Sequence, residues 1–469
     1  MRFRRSFYCL VMGDRTAGLA TAAAHARAFL DQLDERPVAA RVDAAGVRDV
    51  LGGPLPEHGE DPATVIDALV AGADPGLVAS SGPRHFGFVI GGALPAALAA
   101  DWVVSAWDQC AAFHALSPAA AAIEEITSAW LLDLLGLPDT SSVGFVTGGQ
   151  GANTTCLAAA RHAVLARTGW DVGKHGLMGA PSIRIMCGEQ AHATIYTALR
   201  LLGLGADTAV RIATDDQGRM EPDALSAALA GGEGPAIVCA QAGNVATGAF
   251  DSFARIADAC AAHDAWLHVD GAFGLWAAAS PSTSHLTRGV ERADSWAVDA
   301  HKWLNVPYDG AMAIVADPDA HVAAMGLAGP YLVVDPGQRN NTNYVPESSR
   351  RARAVPVYAA IRSLGRAGVA DLISRNCAQA RRMADRLARL PGADVLNDVV
   401  LNQVLVRLPG GDDANRAAVA AIQRDGTCWL GGTTWNNEYV LRISVSNWAT
   451  TDADIDRSAD AIARAAGQI

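Results

Sequence analysis

A chain of 469 residues is longer than one ordinary hydrophobic core organises, so two or three domains are expected. Apolar residues make up 50% and charged ones 18%, the balance of a well-buried globular enzyme, which excludes extended disorder. The net charge of −12, with no basic cluster, argues against nucleic acid as a partner.

The chain begins Arg2-Phe-Arg4-Arg5 ahead of an apolar run, the outline of an export signal. Asp14 and Arg15 interrupt that run after about eight residues, the bare minimum for such a signal, which argues against export. Eight cysteines (9, 110, 156, 187, 239, 260, 377 and 428) are scattered without a CxxC pair. Neither a disulfide frame nor a zinc site is expected, and the setting reads as reducing and cytoplasmic. No window reaches the roughly 18 apolar residues of a membrane span.

Residues 16–75 are Ala-rich with helical periodicity, broken near Gly52-Gly-Pro54 and again at Gly72-Ala-Asp-Pro75. They predict an N-terminal helical arm, residues 1–80, rather than a domain with its own core. From about 120 to 315 helix and strand alternate. The pattern predicts helix 123–135, strand 142–146, the turn Gly148-Gly-Gln-Gly151 and helix 153–167. Strand 182–187, helix 193–202, strand 209–213, helix 221–230, strand 236–241, helix 251–262 and strands 265–269, 295–298 and 311–315 follow. Short apolar strands between helices indicate an α/β domain, a mainly parallel sheet covered on both faces. In such sheets ligands bind at the carboxyl ends of the strands. A stretch with little regular pattern covers 326–350, a length usual for functional loops. Helices 353–365 and 368–389 then lead to a small α+β unit with strands near 399–407 and 438–446 and helices near 412–424 and 452–466. The expected division is arm 1–80, large domain 81–345 and small domain 346–469.

Two segments carry the chemistry, Trp266-Leu-His-Val-Asp270 and Asp299-Ala-His-Lys302-Trp303, each an apolar run ending at or near a reactive group, a carboxylate in one and an amine in the other. A lysine amine that can form a Schiff base, with a carboxylate to salt-bridge a pyridinium nitrogen, is the protein half of pyridoxal-phosphate chemistry. Gly148 and Gly149 open a helix after a strand, where backbone N–H groups and the helix N-terminus can take a phosphate. The Gln150 amide and His301 are further phosphate contacts on this reading. His192, at a strand-to-helix junction, can stack on the pyridine face and touch the substrate carboxylate. Asn244 lies beyond another strand end and can converge with Asp270 and Lys302. Taken singly, each has an ordinary explanation: a surface lysine, a strand-end turn, packing glycines, a capping histidine. Their agreement on one cofactor, pyridoxal 5'-phosphate (PLP), points to an enzyme.

These residues resemble the group II pyridoxal-phosphate decarboxylases, the family of aromatic amino acid, glutamate and cysteine-sulfinate decarboxylases. The resemblance runs from about His85 to Asp456. Its most specific pieces are Gly148-Gly-Gln-Gly-Ala-Asn153, Gln190-Ala-His192, Gly243-Asn244 with Thr247-Gly-Ala-Phe-Asp251, His268-Val-Asp270, His301-Lys302-Trp303, Ser349-Arg-Arg-Ala-Arg353 and Leu441-Arg442-Ile-Ser. Where the family often has Ser-Glu inside the first motif, this chain has Gln150-Gly151, which shifts phosphate binding onto the Gln150 amide and the backbone. The resemblance implies a fold-type-I architecture, with a large mainly parallel seven-stranded sheet domain and a small C-terminal α+β domain. It also implies a homodimer with active sites at the subunit interface. By resemblance alone, Tyr331 is the loop tyrosine that protonates the substrate carbon once carbon dioxide has left, and Arg442 lies near the substrate carboxylate.

The segment Arg84-His-Phe-Gly-Phe88-Val-Ile90 occupies the family's side-chain-pocket region and is almost wholly apolar, which is costly for a charged side chain. Phe88, Ile90 and His85 are the expected contacts of an aromatic or other apolar L-amino acid. Arg84 and His85 leave an acidic substrate open. Transamination, retro-aldol cleavage and oxidative deamination use the same lysine and aspartate, and Tyr331 favours simple decarboxylation among them.

Overall fold

The computed structural model describes residues 14–327 and 337–467; the Arg-led N-terminal run and Tyr331 lie outside the described residues. Seven strands form the main sheet: β1 (Ser142–Val146), β2 (Arg184–Gly188), β3 (Val210–Ile212), β4 (Ala236–Gln241), β5 (Trp266–Asp270), β6 (Ser295–Asp299) and β7 (Ala311–Val315). Their order is β1-β7-β6-β5-β4-β2-β3. β7 runs antiparallel to both β6 and β1, so β1 points the same way as the parallel set β6, β5, β4, β2 and β3. All the strands bearing candidate residues therefore end on one edge.

β1, β5, β6 and β7 are buried along their whole length. Helices Gly149–Ala166 and Pro118–Leu135 help cover the two faces, and the apolar side chains pack into separate cores. This two-sided burial is why the strands read as apolar runs without alternation. At the far end of the chain β8 (Asp394–Val395), β9 (Gln403–Arg407), β10 (Gly431–Trp435) and β11 (Glu438–Ser444) form an antiparallel sheet ordered β10-β11-β9-β8. It carries its own core with helices Gly411–Asp425 and Asp452–Ala466.

Helix Ala354–Leu387 packs on both units, and Gly365, at φ 63°, breaks its regularity where two helices were expected. Just before it, Arg350 donates to Glu124 at 2.6 Å and to the Phe145 carbonyl at 2.7 Å. Both side chains of this ion pair are buried, at 0% and 1% exposure, and Arg339 adds a second cation 3.7 Å from Glu124 Oε2.

The N-terminal segment folds as Leu19–Asp31, Ala44–Leu51 and Pro62–Ala73. Across these helices only Gly72 is buried, while Leu19, Leu30, Val50 and Leu69 are exposed.

Candidate active site

The sheet's carboxyl edge brings most of the expected residues to one place. Asp270 ends β5, Lys302 follows β6 by three residues, His192 sits between β2 and helix Ala193–Leu201, and Gly148 follows β1. A narrow cavity between these strand ends is lined by His192, Cys239, Gln241 and Asp270.

Lys302 Nζ lies 3.0 Å from Asp299 Oδ2, and Asp299 is 1% exposed. Sequence reasoning passed over Asp299, although a carboxylate ending an apolar strand is the same signal that marked Asp270. A Cβ on Gly149 would come within 2.9 Å of Asp299 Oδ2, and one on Gly148 within 3.3 Å of the His301 ring. Glycine is needed there because the helix start presses directly onto the lysine's partner. No side chain caps helix Gly149–Ala166, so its first amides are open to an anion. The Gln150 side chain turns instead towards Thr154 Oγ1 and the Thr194 carbonyl, leaving its backbone as the part facing that end. His301 is buried and accepts a backbone bond from Gly310 on Nδ1; burial pulls its pKa down. A neutral ring with Nδ1 accepting carries its proton on Nε2.

Asp270 accepts from Asn153 Nδ2 at 3.1 Å and from the Ala272 amide at 3.2 Å. His192 caps helix Ala193–Leu201, its Nδ1 accepting from the Thr194 amide and meeting Thr194 Oγ1 at 2.8 Å. Burial lowers the His192 pKa, keeping the imidazole neutral. Asn244 is placed differently from expectation. Its side chain accepts from the Ala246 and Thr247 amides and donates to Gln241, so its polar atoms organise their own turn beyond β4.

The segment 84–92 lies against the backbone of the lysine loop: a Cβ on Gly91 would run into the Lys302 carbonyl oxygen and meet Asn305 Nδ2 at 2.8 Å. Phe88 and Val89 hold left-handed φ values of 55° and 59°, each costing about 1–3 kcal/mol, strain of a kind that collects at functional sites. Phe88 is 65% exposed and leans on Trp429, which also stacks on His85 at 5.0 Å; Ile90 is half-buried. Trp429 gave no signal in the sequence, because it comes from the small domain more than 300 residues away. His85 is buried and its pKa is pushed down to about 4. The Arg84 guanidinium is tied to the Thr427 and Asp34 carbonyls and to Asp454. Arg442 on β11 is partly buried, and burial lowers its pKa; among the described residues its side chain makes no hydrogen bond or ion pair.

The residues present fit PLP. An amine, a hydrogen-bonded carboxylate and a neutral flat imidazole gather at one edge beside an uncapped helix start, and Asp299 Oδ1 is buried with no hydrogen-bond partner of its own. The model of the pyridoxal-dependent decarboxylase conserved domain matches residues 49–409. An aromatic-L-amino-acid decarboxylase of Bacillus atrophaeus is 28% identical over 442 residues, covering 91% of this chain and 90% of that protein. An L-2,4-diaminobutyrate decarboxylase of Rhizobium meliloti (strain 1021) is 30% identical over 457 residues, covering 94% and 86%. The crystal structure of Oryza sativa TDC with PLP and tryptamine superposes with a TM-score of 0.89 at 24% identity, over 96% of this chain and 97% of that one, which speaks for the fold. With the lysine, the carboxylate and the uncapped helix start on one edge of the sheet, the match over most of the chain makes this protein a member of the pyridoxal-dependent decarboxylases, a PLP-dependent carboxy-lyase acting on an amino acid.

Proposed function

We propose that the chain converts an aromatic or other apolar L-amino acid to its amine and carbon dioxide. The observation that carries this reading is the state of the two basic residues beside the side-chain pocket. Arg84 is held by its own fold and His85 is neutral and stacked, so neither is free to pair with a second carboxylate. What faces outward is Phe88 resting on Trp429. Burying an unpaired charge against such a surface is costly, whereas an aromatic ring gains contact.

Lys302 would hold the cofactor, its amine being the group that can bond the cofactor aldehyde and give way to the substrate amine. When bound, PLP supplies the electron sink for the pair released as the Cα–carboxylate bond breaks. Asp270 would pair with the pyridine nitrogen and keep it protonated. The amides of Gly148, Gly149 and Gln150, with the His301 Nε2–H, take the phosphate. His192 would supply the stacking surface for the ring. Arg442, desolvated and unpaired, receives the substrate carboxylate. Tyr331 delivers the proton that completes the amine.

The protein acts as a homodimer: the arm helices leave an apolar face that a second copy can cover, and Phe88 stands open beside the site. The seven cysteines among the described residues are all free, in keeping with a cytoplasmic setting.

The test is a product screen. Cofactor-loaded protein is incubated with a panel of L-amino acids, including aromatic, acidic and 2,4-diaminobutyric members, with Lys302→Ala as the blank. Amine and carbon dioxide in equal yield from an aromatic or apolar member support the proposal. Turnover confined to charged members removes the substrate assignment, and keto acid or aldehyde without amine removes the reaction.

A further inference from the structure

We propose that Asn153 is a positioning residue that orders the protons at Asp270 and at His192 through one directional chain of hydrogen bonds. The inference rests on the reading that those two residues face the cofactor. Asn153 is wholly buried at the second turn of helix Gly149–Ala166, and both its N–H groups and its oxygen are bonded. Its Nδ2 lies 3.1 Å from Asp270 Oδ2 and 3.1 Å from Thr194 Oγ1, and its Oδ1 lies 2.9 Å from His268 Nε2.

The direction follows from the chemistry of the ends. A carboxylate can only accept, so the amide nitrogen must face Asp270 and the amide oxygen must face His268. His268 is fully buried, which pushes its pKa down to about 4 and keeps it neutral. With the proton on Nε2, its Nδ1 is bare and accepts from the Ser295 hydroxyl at 3.0 Å. Ser295 Oγ in turn accepts from the Trp266 indole at 2.9 Å, a group that can only donate. On the other limb, Thr194 Oγ1 accepts from Asn153 and passes its own hydrogen to His192 Nδ1 at 2.8 Å. His192, neutral, then carries its proton on Nε2, the nitrogen its cap leaves free.

Every donor from Trp266 onward thus points one way, and the charge on Asp270 fixes the sense. The reversed arrangement has a concrete form. His268 would carry its proton on Nδ1, directed at the nearby Ser295 backbone carbonyl, and Asn153 would turn its oxygen onto the Asp270 carboxylate. Nothing in the functional reading assigned a role to Asn153, Thr194, His268 or Ser295. Together they make the pyridine-facing carboxylate and the ring-stacking imidazole a single unit.

The experiment is NMR of the full chain carrying isotope-labelled histidine, before and after PLP addition, with His192→Gln and His268→Gln used for assignment. Both rings are expected neutral with the proton on Nε2. Thr194→Val should leave His268 unchanged and shift the His192 signal, since Nδ1 keeps only the Thr194 amide at 3.3 Å, and Thr194→Ser should restore the wild-type pattern. Asn153→Asp sets a second carboxylate against Asp270, and its Kd for PLP should weaken on the order of 10- to 100-fold, the worth of a hydrogen bond to a charged group. A proton on Nδ1 of His268 in the wild-type chain overturns the proposal, as does a wild-type His192 signal in Thr194→Val. If the wild-type chain fails to bind PLP, the functional reading falls, while the tautomers still decide whether the chain of bonds exists.

Discussion

Gly91 offers a direct test of how the side-chain segment and the lysine loop depend on each other. Its φ is not in the left-handed region, so alanine could adopt the backbone; what is missing is space. The added Cβ would collide with the Lys302 carbonyl oxygen and reach Asn305 Nδ2 and Cγ at 2.8 and 2.9 Å. Ordinary contact needs about 3.5 Å, so the lysine backbone must yield by about 2 Å. Overpacking of this kind costs about 1–3 kcal/mol, and the displaced residue is the one that holds the cofactor. Gly136→Ala is the control. Gly136 caps helix Pro118–Leu135 at φ 64° with nothing within 4 Å, so alanine there pays only the left-handed penalty of about 1–2 kcal/mol. Thermal denaturation of the cofactor-free proteins should show both variants destabilised by similar amounts. A PLP titration should separate them, with Gly91→Ala losing about tenfold or more in Kd, equal to ~1.4 kcal/mol, and Gly136→Ala unchanged. Wild-type PLP affinity in Gly91→Ala would refute the idea that this segment braces the lysine.

Arg350→Met should destabilise the fold by about 3–5 kcal/mol, because it leaves the buried Glu124 carboxylate with only the longer 3.7 Å contact to Arg339. Burial pushes the Glu124 carboxyl up, so the folded state holds its proton more tightly than the unfolded chain and stability falls as pH rises through the carboxylate range. Losing Arg350 strengthens that trend; the deficit, read from urea melts, should be largest at neutral pH and shrink on acidification. Arg442→Gln should lower kcat/KM by about 10- to 100-fold through loss of a charge-assisted pair to the substrate, with PLP binding unchanged; an unaltered KM and kcat would remove Arg442 from the site. Tyr331→Phe should divert product from amine towards aldehyde, measured as the amine-to-aldehyde ratio by mass spectrometry, and a product ratio like that of the wild type would show that the proton comes from elsewhere.

The main sheet was legible because its strands are short apolar runs: β1, β4 and β7 begin and end where the sequence places them. The small sheet was half legible. β10 is Gly431-Gly-Thr-Thr-Trp435, with two glycines and no apolar run, and β8 has only two residues. Helix Gly149–Ala166 starts four residues before its expected start at Asn153, since its glycines read as a turn whereas they form the first helical turn against Asp299. In the site, the residues at strand ends were found and their partners were not. His268 and Asn153 touch across 115 positions, and Trp429 reaches His85 from another domain, contacts that no local pattern encodes. Arg84 shows the converse: a guanidinium that looks available in the sequence is tied down by the fold through Nε and Nη1.

The three arm helices, which bury a single glycine between them, have a consequence for the folding order of the molecule. A helix of 8 to 13 residues with no buried face is marginal in water, because nucleation costs more than so few turns recover. In a lone protomer these amides should exchange with solvent almost as fast as an open chain, while those of β4, β5 and β6 exchange only on global unfolding. The arm is therefore expected to be the last part of the chain to settle, its order arriving with assembly rather than preceding it, and its exchange rates should slow as protein concentration is raised.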